Sequence, residues 1–208
     1  VLTPIVKAFF TETAQESTSY GMQVYGGHGY IKEWGMEQLA RDTRISTMYE
    51  GTTGIQAIDL LARKIMGSKG ELLKIMLQEI HQYCASVREQ TQFSAMANDI
   101  VSHCDEWQQI TAEIGQSAAN NPDELGAAAV DYLMYSGYIL VGYMWLKIAV
   151  TAQAKLDAGQ GNADFYTAKL HCADFYFGRL LTRTRSHIAA IRSGASNLMS
   201  MDEALFKI

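Results

Sequence analysis

Residues 23–56 read QVYGGHGYIKEWGMEQLARDTRISTMYEGTTGIQ, and what stands before the glycines of this stretch decides the fold. Gly26, Gly27 and Gly29 let a backbone pass close to another group, as a nucleotide loop would. Their spacing is not that of a dinucleotide fingerprint, and residues 1–25 pattern as a helix rather than a strand. The stretch therefore reads as a turn between helices. A short helix follows over 37–48, with Leu39, Ile45 and Met48 as its apolar members. The turn Glu50-Gly51-Thr52 precedes a third helix, which Thr52 or Thr53 can cap by accepting from first-turn amides. Ile55, Ile58, Leu61, Ala62 and Ile65 then recur at helical spacing. Glu50 alone, between Tyr49 and Gly51, reads as a solvated cap, with a catalytic carboxylate as the alternative.

Outward from this stretch, Gly67-Ser68-Lys69-Gly70 is the clearest boundary, with Gly67 suited to a helix C-cap. It divides the chain into units at 1–67 and 71–208. Four amphipathic stretches follow. The first carries Leu73, Met76, Ile80, Tyr83 and Val87. The second carries Met96, Ile100, Cys104, Trp107, Ile110 and Ile114. The third runs from Leu125 through Leu133, Val141 and Met144 to Ile148, and the fourth from Tyr166 through Phe177, Leu180 and Thr184 to Ile191. Long stripes joined by short breaks at 120–123 and 159–162 predict an all-α chain closing in an antiparallel helical bundle. With only 2 prolines in 208 residues, long helices are possible almost everywhere.

A net charge of -5 gives no electrostatic footing for nucleic acid. The longest uncharged apolar run, 132–146, is closed by Asp131 and Lys147 and falls short of the roughly 20 residues of a membrane span, so it is read as a buried central helix. Cys84, Cys104 and Cys172 are expected to be reduced core thiols in a cytoplasmic protein. His81-x-x-Cys84 has weak ligand spacing, and no metal site is expected. Arg179, Arg183, Arg185 and Arg192 give the last helix a basic face, read as solvated or as an interface. The chain opens at Val1 on a helix already in progress, so it is expected to be the C-terminal piece of a longer protein. Leu2, Ile5, Phe9 and Phe10 are then expected to lie exposed and to favour association.

Taken together, Gln23, Gly26, Gly27, Gly29, Tyr30, Glu33, Arg41, Asp42, Tyr49, Glu50, Gly51 and Thr52 resemble, in order and register, the C-terminal domain of acyl-CoA dehydrogenases. Residues after Gly70 resemble the extra helical domain of the longer members. The resemblance implies the end of that C-terminal helical domain at 1–67, followed by the bundle at 71–208. Two positions depart from the family pattern. Gln38 stands where Lys or Arg is usual, and Gly54 stands where many members have a Gln that contacts the flavin.

The resemblance implies FAD-dependent desaturation of an acyl-CoA thioester between its α and β carbons. Glu50 would remove the α proton, and its own amide would be one donor to the thioester oxygen. Gly51 would let the thioester approach. Gln23, Val24, Tyr25, Gly26 and Gly27 would meet the adenosine-diphosphate half of FAD across a subunit interface, and Thr52, Thr53 and Gly54 its flavin edge. Arg41 and Asp42 are expected to form a structural pair. The implied partners are an acyl-CoA substrate, electron-transfer flavoprotein or another electron acceptor, and a second copy in a homo-oligomer. The 208 residues alone are expected to be inactive. The rivals are a non-catalytic helical assembly module and an acyl-CoA oxidase.

Overall fold

The computed structural model describes residues 1–207, and no strand occurs among them. Helix α1, Leu2–Val24, ends in two short 3-10 turns at Gly26–Tyr30 and Lys32–Trp34. Helix α2 is Met36–Ser46, and α3 is Thr53–Ile58, continuing in a π-helical segment Asp59–Met66. The long helices α4 (Glu71–Val87), α5 (Thr91–Asn120) and α6 (Asp123–Asp157) follow. Helix α7, Ala163–Phe175, passes through a π-helical turn Tyr176–Leu180 and a 3-10 turn Leu181–Arg183 into α8, Thr184–Arg192. A short α9, Ser196–Met199, and a 3-10 turn, Glu203–Phe206, close the chain.

The axis of the molecule is α6, which packs on α1, α3, α5, α7 and α8. Asp123 and Glu124 sit in its first turn and Lys155 in its last, the charge order the helix dipole favours. It is long and apolar enough to cross a membrane, but it is buried on several sides by helices of the same chain. Small residues let those neighbours close in. A Cβ on Gly137 would lie 2.2 Å from the Phe9 ring, and one on Gly142 would lie 2.9 Å from Ile100. One hydrophobic core runs from Ile5, Phe9, Leu60, Leu61 and Ile65 into the stripes of α4 to α8. Its buried hydroxyls are paired: Tyr135 donates to the His103 carbonyl at 2.9 Å and Tyr176 to the Tyr138 carbonyl at 2.8 Å.

Several sequence expectations need correction. Ile5 and Phe9 are 2% and 4% exposed, because α1 lies on α6 within this chain; Leu2 and Phe10 do remain exposed. Leu39, Ile45 and Met48 face outward, and α2 buries only Ala40. Met144 and Ile148 are exposed, because the flank of α6 that is buried carries Tyr143, Leu146 and Ala149. Gly67 is the C-cap as expected, its amide on the Ala62 carbonyl, but it is right-handed (φ -62°); the left-handed residues of that turn are Lys69 and Gly70, whose amide bonds the Ile65 carbonyl at 2.9 Å. Cys84 and Cys104 are buried and their thiols are pushed up by burial, to about 11 and about 12, but Cys172 is exposed. Of the four arginines, Arg183 is half-buried and pairs with Glu16 at 2.8 Å, whereas Arg192 stays exposed and pairs at the surface with Glu113 at 3.0 Å.

Candidate functional site

The turn between α2 and α3 shares an uncommon backbone with the Lys69-Gly70 turn: a left-handed non-glycine residue followed by a left-handed glycine. Glu50 has φ +56° and Gly51 φ +88°, two consecutive left-handed residues. A non-glycine residue there costs on the order of 1–3 kcal/mol and persists only where its surroundings over-determine it. Three side chains do so. Gln56 Nε2 donates to the Glu50 carbonyl at 2.9 Å, Lys7 Nζ to the Gly51 carbonyl at 2.5 Å, and Thr53 Oγ1 to Glu12 Oε1 at 2.5 Å. Hydrogen bonds to charged groups contribute about 1.5–3 kcal/mol each, so the two ties to α1 outweigh the strain. Gly51 suits the turn whatever binds beside it, since its φ of +88° is one that residues with a Cβ rarely adopt, and a Cβ there would also displace the Gln56 side chain, 2.7 Å away.

The side chain of Glu50 is fastened to nothing. It is exposed, and no ion pair or hydrogen bond engages its carboxylate among the described residues. Thr52 caps α3, its hydroxyl accepting from the Ile55 amide at 3.5 Å. The first-turn amides of Thr53 and Gly54 have no intrahelical acceptor and face a ligand or water. Thr53 spends its hydroxyl hydrogen on Glu12, which leaves its lone pairs and its amide for any ligand. Gly54 is exposed, with no atom within 4 Å of a would-be Cβ.

Gln23, Val24, Tyr25, Gly26 and Gly27 are exposed at the far end of α1. Gly26 and Gly27 have open space where a Cβ would stand, so a ligand can lie against their backbone. Gly29 is buried, and a Cβ there would strike the Met22 carbonyl at 2.3 Å; it closes the turn onto α1. The two groups of candidate residues are not brought together. At 1.5 Å per residue, Lys7, which holds the Glu50 turn, lies about 24 Å along α1 from Gln23.

Arg41 and Asp42 do not pair. Gln38 holds Asp42 at 2.6 Å, while Arg41 joins Arg44, Met22, Tyr30 and Met48 around a hollow of about 600 Å³ between α1 and α2. A second hollow of about 600 Å³ lies between α1, α6 and the π-helical turn, with Phe10, Trp145 and Phe175 in its wall. Neither is lined by Glu50. No group of three or more His, Cys, Asp or Glu residues is placed to hold a metal among the described residues.

The residues that escaped the sequence reading are Lys7, Glu12 and Gln56. A signal existed for Lys7, which is the only Lys or Arg before Lys32 and stands in a run otherwise apolar, Ile5 to Phe10.

Two family models match the chain: "Acyl-CoA dehydrogenase, C-terminal domain" over residues 1–66, and "Acetyl-CoA dehydrogenase C-terminal like" over residues 76–202. The chain is 34% identical over 203 residues to the 3-methylmercaptopropionyl-CoA dehydrogenase of Ruegeria pomeroyi, covering 96% of this chain and 34% of that protein. It is 31% identical over 220 residues to a broad-specificity linear acyl-CoA dehydrogenase of Mycobacterium tuberculosis, covering 99% and 35%. Over 52 residues it is 40% identical to a subunit of the caffeyl-CoA reductase-Etf complex of Acetobacterium woodii, covering 25% and 14%. The chain thus spans about a third of the length of the first two relatives.

Proposed function

The chain belongs to the acyl-CoA dehydrogenase family, and from that premise we propose that it forms the catalytic-base end of an enzyme that desaturates acyl-CoA thioesters, with Glu50 as the base. The observation that carries this reading is the division of labour at Glu50: its backbone is fastened by Gln56 and, through Gly51, by Lys7, while its carboxylate makes no bond among the described residues. A carboxylate held in place but unused is what proton removal from a bound substrate needs. The α carbon of a thioester is a weak acid, so the developing charge on its oxygen needs a donor, and the Glu50 amide is the donor this chain offers. Closing the site over an apolar acyl chain would desolvate Glu50 and raise its proton affinity, making it a stronger base.

The residues fit FAD as the second reactant. The open backbone at Gly26 and Gly27 suits the adenosine-diphosphate half, with Gln23, Val24 and Tyr25 beside it; the free first-turn amides at Thr53 and Gly54, with Thr52, suit the flavin edge. When bound, the flavin would accept the β hydrogen as hydride. Because the two groups stand at opposite ends of α1, one copy would serve the flavin edge of one cofactor and the adenosine-diphosphate half of another, in a homo-oligomer. The similarity to a subunit of a reductase-Etf complex supports electron-transfer flavoprotein as a redox partner, which in the desaturating direction would take up the electrons. The matches at 1–66 and 76–202 support units at 1–67 and 71–208.

The test uses the full-length polypeptide. Bound flavin should bleach on adding an acyl-CoA, and turnover should appear with an artificial electron acceptor. Peroxide formation in its place would identify an oxidase, and neither signal would leave a helical assembly module.

A further inference from the structure

Helix α1 carries three charged residues, Lys7, Glu12 and Glu16, and each ties it to a distant element. Two of the three end on the Glu50 turn. Lys7 is half-buried and meets the Gly51 carbonyl 44 residues away; Glu12 meets the Thr53 hydroxyl 41 residues away. They brace the turn on both sides of Thr52, while Gln56 braces Glu50 from within the turn. Removing one leaves a left-handed Glu50 with fewer groups holding it, and a backbone free to relax changes the aim of both the carboxylate and the Glu50 amide.

We propose that Lys7 and Glu12 are positioning residues for the reaction: they touch neither substrate nor cofactor, and they act by holding the Glu50–Thr53 turn, which is left-handed at Glu50 and Gly51. The proposal rests on the reading of Glu50 as the base. A displacement of about 1 Å at a reacting group can cost about 10² in rate, so loss of a brace should show in the chemical step rather than in binding.

The experiment measures single-turnover reduction of bound flavin by butyryl-CoA and octanoyl-CoA in the full-length protein. The variants are Lys7→Met, Lys7→Arg, Glu12→Leu and Glu12→Gln, each made with Glu50 and with Glu50→Gln. With Glu50 present, Lys7→Met and Glu12→Leu should slow reduction by roughly tenfold to a hundredfold, with flavin content and acyl-CoA dissociation constant within about threefold of wild type. Lys7→Arg and Glu12→Gln, which keep a donor and an acceptor, should recover most of the rate. In the Glu50→Gln background either brace variant should slow the reaction by much less, because no base is left to aim and only the backbone amide of that position remains. Equal slowing in both backgrounds, or slowing that tracks flavin loss, would overturn the proposal in favour of a merely structural role. Wild-type rates for Lys7→Met and Glu12→Leu beside a slow Glu50→Gln would overturn it while leaving the base in place. Wild-type rates for Glu50→Gln would instead remove the base assignment on which it rests.

Discussion

At Glu50 the sequence and the structure supply different halves of one argument. The run Tyr49-Glu50-Gly51-Thr52, in register with Gln23 and Gly26-Gly27, marks the residue. What no pattern announces is that Glu50 is left-handed and that α1 holds it there, because the bonds from Lys7 and to Glu12 span more than forty residues. Two outcomes follow. In the full-length protein Glu50→Gln is isosteric and removes no internal bond, so flavin content and acyl-CoA binding should stay near wild type while flavin reduction slows by about 10²–10⁴ in stopped-flow absorbance. Gly51→Ala forces a Cβ into a left-handed residue against Gln56. It should destabilise the fold by about 1–2 kcal/mol in urea denaturation, and a neutral result would show that the turn relaxes freely.

The helices were legible where one face alone is buried. In α5 the stripe of Ile100, Cys104, Trp107, Ile110 and Ile114 is the buried face as read. The pattern fails in α6 because that helix is covered from several sides, so Met144 and Ile148 carry no more information than Tyr143 or Leu146. It fails differently between α7 and α8. The π-helical turn at 176–180 shifts the phase, so Tyr176 and Leu181 are buried where Phe177 and Leu180 were expected, and both of those are only partly buried. The small residues of α6 were equally silent, since a helical glycine looks like a weak position until its neighbour is known. Gly137→Ala tests this. Helix propensity alone would make the change stabilising by up to about 1 kcal/mol. The Phe9 ring stands 2.2 Å from the new methyl, and overpacking costs about 1–3 kcal/mol, so thermal denaturation should show a net loss. Combining it with Phe9→Leu should recover part of that loss.

The molecule as a whole hangs α1 and α3 on the same central helix that organises the bundle, and that joins regions the sequence divides at Gly67–Gly70. One link is electrostatic. The Arg183 guanidinium, followed by the Tyr20 hydroxyl, holds the Glu16 carboxyl below its ordinary range. A depressed carboxyl stabilises the fold fully above the ordinary glutamate range and loses that contribution as pH falls through its folded value. The melting temperature of Glu16→Gln should therefore lie below wild type at neutral pH and converge on it in acid; a gap that widens in acid would mean the pair is not what Glu16 contributes. The larger link is apolar. Ile5, Phe9, Leu60, Leu61 and Ile65 are buried in the same core as Trp107, Tyr135 and Leu146. Opening the first unit alone would expose the flank of α6 that Phe9 covers, and opening the bundle alone would leave Leu60 and Leu61 in water. Burial of each such side chain contributes about 1.5–3 kcal/mol, so either partial opening forfeits several of them without releasing the rest of the chain's entropy. The two units are expected to unfold together. Native-state hydrogen exchange should give the core amides of α1 and α5 a common opening free energy with a common denaturant dependence. If α1 and α3 opened well before α5 and α6, the seam at Gly67–Gly70 would divide the energetics as it divides the sequence.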